Sequence, residues 1–75
     1  MNNSRRKRIA AAFDQISKAK DLLSEVASEE LDSLDNLPEN LKNGQKGETM
    51  EAAVDALDEA TNLLEEVQDK IEEFI

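Results

Sequence analysis

Met50, Leu57, Leu64 and Ile71 recur every seven residues, and Ala53, Ala60, Val67 and Phe74 follow three residues behind each. A sustained seven-residue repeat of paired apolar positions is the pattern of helices packed along a seam. The first half of the chain has the same pattern. Ile9, Ile16 and Leu23 are followed by Ala12, Ala19 and Val26. Laying Ala11–Val26 over Ala52–Val67, an offset of 41 residues (52 − 11), gives eight identities in sixteen positions. Coincidence between two amphipathic helices and duplication of one helix both account for the match. In either case two similar seams, each ~27 residues and ~40 Å long, are expected to pack together.

The elements are bounded by local chemistry. A first helix is expected over residues 4–36, with Ser4 as its N-cap because a hydroxyl there can accept from a free backbone N–H. Pro38 ends it, since the proline ring disfavours a helical residue at position 37. Residues 37–47 form an ordered connector. Pro38 starts a short helical turn, and Gly44 supplies the left-handed residue that closes it. Leu34, Leu37 and Leu41 are spaced to fold the connector back on the helix ends. The second helix is expected over 48–74, with Glu48 and Glu51 in a first turn whose dipole favours acids.

The predicted fold class is therefore all-α: one antiparallel two-helix hairpin, coiled-coil-like, as a single domain over 1–75. Its core is expected from Ile9, Phe13, Ile16, Leu23, Met50, Leu57, Leu64 and Ile71. Further apolar residues flank the seams, Leu22 and Leu63 on one side, Phe13, Ala27 and Val54 on the other. A lone hairpin leaves part of so wide a face wet. Self-association into a homo-oligomer is expected, most simply a dimer forming a four-helix bundle. Lys20, Thr61 and Gln68 sit at the seam edge, either as register-setting polar positions or, by preference, as ordinary flanking residues.

Composition narrows the function. The chain has 75 residues and contains no Cys, His, Trp or Tyr. Disulfides, His-based acid–base chemistry and the usual zinc sites are excluded by residue type. Base-stacking platforms lack their aromatics. Eighteen acids against nine bases give a net charge of −9, which opposes direct nucleic-acid binding and attachment to anionic membranes. No apolar run is long enough to span a bilayer, and no signal-peptide pattern is present, so a cytoplasmic location is expected. The carboxylates suggest no pocket, and Gly44 and Gly47 do not form a phosphate-cradling loop. No enzyme activity, cofactor or metal is expected.

Two charged features remain. Arg5, Arg6, Lys7 and Arg8 open the first helix, while Asp32 and Asp35 close it and Glu72 and Glu73 close the second, all against the helix dipoles. In an antiparallel hairpin the basic run meets Glu65, Glu66, Asp69, Glu72 and Glu73 in an ion-pair network. Alternatively it forms an anion site for a phosphate or nucleotide, or a disordered basic tail. Along the second helix, Asp55, Glu59, Glu66, Asp69 and Glu73 form an acidic outer face. Asp21, Glu25, Glu29 and Asp32 line the first. Such rows are solvated faces or surfaces for a basic partner.

The order of parts, with RRKR at the start, Leu37-Pro38-Glu39 in the connector, then Gly47-Glu48 and Met50-Glu51, resembles small acidic helical proteins encoded by phages and prophages of Gram-positive bacteria. The resemblance implies a non-enzymatic accessory protein in the host cytoplasm that binds and inhibits a host protein, a defence component above all, through its acidic surface. It also admits an oligomeric sponge for a cyclic nucleotide immune signal, or a structural coiled-coil adaptor.

Overall fold

The computed structural model describes residues 1–75. Three helices follow one another: α1 over Asn3–Asp35, α2 over Glu39–Lys42 and α3 over Gln45–Glu72. α1 and α3 run antiparallel against each other and form a rod of 59 × 15 × 12 Å between Cα atoms. The chain is all-helical, as the heptads require. No helix is long and apolar enough to cross a membrane.

The caps differ from the sequence expectation. α1 starts one residue earlier than expected, because the Asn2 side chain, not Ser4, accepts from the Arg5 backbone N–H at 2.8 Å. Asn is at least as good an N-cap as Ser. Pro38 does start a short helix, as its N-cap, and its carbonyl accepts from the backbone N–H groups of Leu41 and Lys42. Gly44 is not left-handed: its φ of −99° and ψ of −166° make it the extended N-cap of α3, which begins at residue 45 rather than 48. α3 ends at Glu72, short of the expected 74. Leu34 and Leu37 are half-buried at the connector, whereas Leu41 is exposed.

Gly47 explains how tightly the chain turns. It lies inside the first turns of α3, and a Cβ built there would stand 1.8 Å from the Lys42 carbonyl oxygen and 2.9 Å from the Lys42 Cα. The backbone of α2 occupies the space that any side chain at 47 would need. Glycine is required here for close approach, not for an unusual φ.

The inter-helix seam is rotated from the expected one. Half-buried positions on α1 include Ile9, Phe13, Ile16, Lys20 and Leu23, with Ala27 buried at 6% exposure. On α3 they include Met50, Val54, Leu57, Thr61, Leu64 and Ile71, with Gln68 buried at 4%. Each large residue is thus paired with the one four positions on, not three. Ala53 and Ala60 stay at the edge, but Ala12, Ala19, Val26, Val67 and Phe74 are exposed. The rotation brings Phe13 and Val54 into the seam in place of Ala12 and Ala53, which removes more apolar surface from water there, and leaves Val26, Val67 and Phe74 outside it. Phe13, Ala27 and Val54 therefore belong to the seam rather than to a flank. All eight expected core residues face the partner helix, yet none is fully buried. Only three of 75 residues are buried, and Ala27 is the single apolar side chain among them.

Candidate interaction surfaces

The seam contains one directional fastening. Gln68 Nε2 donates to the Phe13 carbonyl oxygen at 3.0 Å and to Ser17 Oγ at 2.7 Å. A buried amide is tolerated only when its hydrogen bonds are made, and these cross between helices, so they fix axial register. Gln68 is thus a buried seam residue with partners on the other helix, not the ordinary flanking residue preferred from the sequence. Thr61 and Lys20 also lie in the seam, but the Thr61 hydroxyl donates back to Leu57 O at 2.9 Å within its own helix. Ser17 gave no signal in the sequence, because a lone serine in an amphipathic helix has no distinguishing pattern.

The basic run is split rather than gathered. Successive residues of a helix point about 100° apart, so four in a row surround the axis. Arg5 and Arg8 share an open depression with Met1, Ile9 and Ala12. Arg6 and Lys7 lie on another side with Asn3, Ala10 and Ile75. The backbone N–H groups of Arg5 and Arg6 are already taken by the Asn2 side chain and carbonyl. No hydrogen bond joins these four residues to Glu65, Glu66, Asp69, Glu72 or Glu73. Instead the Arg6 guanidinium donates to the Phe74 carbonyl at 3.3 Å.

That contact accounts for one of the charges placed against the dipole, Arg6. The start of α1 lies beside the end of α3, where carbonyls lack helical partners and a cation is favoured. The same device recurs at the other end. Lys42 Nζ donates to the Asp35 carbonyl at 3.2 Å, so a base from the connector serves the end of α1. α1, which has no base in its own last turn, receives its cation from the connector, and α3 adds Arg6 of α1 to its own Lys70.

The acidic residues Asp55, Glu59, Glu66, Asp69 and Glu73 are all exposed and lie on the side of α3 away from α1. Glu66 and Asp69, with Lys70, border a shallow open depression. No group of three or more acidic side chains is drawn together as a metal site would require.

The remaining surface is apolar. Leu22 is 59% exposed, Leu63 54%, Val67 43%, Phe74 41% and Val26 40%. One broad side of the rod carries the groove of Ser24, Ser28, Leu31, Val54 and Asp58, to which both helices contribute. By the 3.6-residue period, Leu22 and Val26 on α1 and Leu63, Val67 and Phe74 on α3 lie on the opposite broad side. They form one apolar face across both helices. No known protein family, curated protein or solved structure matches this chain.

Proposed function

We propose that this protein is a non-enzymatic binding module of the phage accessory type, which engages a basic surface of a host protein through the outer face of α3 and inhibits it. The observation that supports this reading is the row Asp55, Glu59, Glu66, Asp69 and Glu73. These carboxylates are exposed along most of α3, and none accepts a hydrogen bond from a base of the chain itself. Their negative field is left free to steer and orient a cationic partner. A defence protein whose working surface binds nucleic acid is the natural class of target, because it already presents basic side chains at phosphate-like spacing.

Native mass spectrometry after incubation with bacterial lysate tests the proposal. A protein complex is expected at low salt that dissociates as salt rises, since exposed charges are screened over about 10 Å at 0.1 M. The triple variant Glu66→Lys, Asp69→Lys, Glu73→Lys should lose it. No complex at low salt, or a complex indifferent to the triple reversal, overturns the reading.

A further inference from the structure

We infer that the apolar side of the hairpin is covered by a second copy of this chain, packed face to face about a two-fold axis perpendicular to the rod, so that the open end of one hairpin lies on the connector end of the other. This inference shares Glu59 with the acidic-face reading but rests on the apolar side chains, and its test leaves that row unchanged.

Something must cover this face. The hairpin buries three residues, only one of them apolar, while five large apolar side chains on one side remain about half exposed. A 75-residue chain with so small a core normally depends on a partner. The stripe runs from Phe74 back to Ala53, about 32 Å at about 1.5 Å per residue, and spans two helices, about 20 Å, which gives about 640 Å² per copy before its rims are counted. Stable complexes bury about 800 Å² per partner, so a face of this size is enough for a dimer. Ala12, Ala19 and Ala56 lie among the large residues on the same side, where small side chains let two layers of helices come close.

Charge selects the second copy and its direction. Gln68 is level with Phe13 and Ser17, and Phe74 with Arg6, which sets the heights of all other residues. Arg5, Arg8 and Lys70 then border the apolar face near the open end, while Glu29 and Glu59 border it toward the connector; all five are exposed. If two copies packed with their open ends together, Arg8 would lie within about 6 Å in height of Lys70, and Glu29 within about 9 Å of Glu59, like charge beside like. Turned end for end, α1 packs on α1 and α3 on α3, Arg8 of one copy meets Glu29 of the other, and Lys70 meets Glu59. The same turn sets Val26 over Ala12 and Phe74 over Ala53, large residue over small. A two-fold axis makes each such contact twice.

The chain has no cysteine, which gives a clean test of direction. Full-length single-cysteine variants Ala12→Cys, Ala19→Cys and Val26→Cys are oxidised alone and in mixtures, after sedimentation equilibrium has given their oligomeric state. The expected result is a dimer at high micromolar concentration. Ala19→Cys, near the axis, should cross-link to itself, whereas Ala12→Cys should cross-link to Val26→Cys and not to itself. Leu63→Glu, at a position exposed in the single hairpin, should keep its helical circular dichroism while its dimer dissociation constant rises at least about 100-fold, from burying an unpaired carboxylate twice. A wild-type monomer at high concentration overturns the inference. So does self-cross-linking of Ala12→Cys, or a Leu63→Glu dimer of unchanged affinity.

Discussion

The two ends of this hairpin are held by different means. Toward the connector the helices are held by close packing, with Ala27 buried between α1 and α3 and Gly47 of α3 pressed against the Lys42 backbone of α2. Toward the open end they meet through hydrogen bonds, with Gln68 reaching Phe13 and Ser17, and Arg6 reaching Phe74. Ala27 and Gln68 occupy equivalent places in the two similar halves, since 27 + 41 = 68, the offset that superposes Ala11–Val26 on Ala52–Val67. One position in one pattern has thus been filled by the least specific side chain and by a highly specific one. The covalent connector accounts for the difference. Near it the chain itself limits how the helices can slide, so close packing is enough. Far from it nothing tethers them, and an apolar seam repeating every seven residues could slip by a heptad. A buried amide with fixed partners prevents that, as single polar seam positions do in coiled coils.

The comparison breaks most severely at Gly47. Gly47→Ala places a methyl where the Lys42 backbone already lies, and backbone cannot rotate aside. A loss of about 3 kcal/mol is expected, and thermal circular dichroism should show the melting temperature lowered by at least about 10 °C. Ala27→Leu tests the same end more mildly. Overpacking a seam that fits alanine should cost about 1–3 kcal/mol in urea unfolding, with an unchanged m-value.

At the open end, Gln68→Ala removes both cross-helix bonds and should cost about 1–2 kcal/mol. Gln68→Leu sharpens the contrast. It should hold or raise the melting temperature but broaden amide resonances around Ser17, because an apolar residue restores burial without fixing register. The smallest effect is expected for Arg6→Ala. Its contact with the Phe74 carbonyl is worth about 0.5 kcal/mol at low salt, and the difference from wild type should fade in concentrated salt.

Much of this was legible in the sequence, and what was not has identifiable causes. The heptads gave two long helices, and Pro38 separated them. The rotation of the seam was not legible, because Ile9 is followed by apolar residues both three and four positions on, Ala12 and Phe13, and α3 repeats the ambiguity with Ala53 and Val54. Periodicity gives the width of an apolar face; packing against a particular partner decides which part is used. The residues left over, Val26, Val67 and Phe74, are the same ones that give the second, uncovered face. The role of Gly47 was hidden because its constraint comes from a carbonyl five residues earlier that approaches only once α2 has formed. Gln68 was visible as a polar residue at a seam edge, but its burial depends on Ser17 lying opposite, a relation between helices that neither helix states alone. The basic run was legible as a feature but not as a contact, since its partner is a backbone carbonyl and not a side chain.

The position of Gln68 also has a consequence in time. Its partners lie 55 and 51 residues away along the chain, and those of Arg6 lie 68 away, whereas Lys42 and Gly47 are near neighbours. Closing a short loop costs less entropy than closing a long one, so the helices should come together first at the connector and zip toward the open end. The amide that fixes register would then dock after the main barrier has been crossed. Interactions formed late slow unfolding and leave folding nearly unchanged. Gln68 would act as a latch, closing last and setting how long the hairpin stays shut.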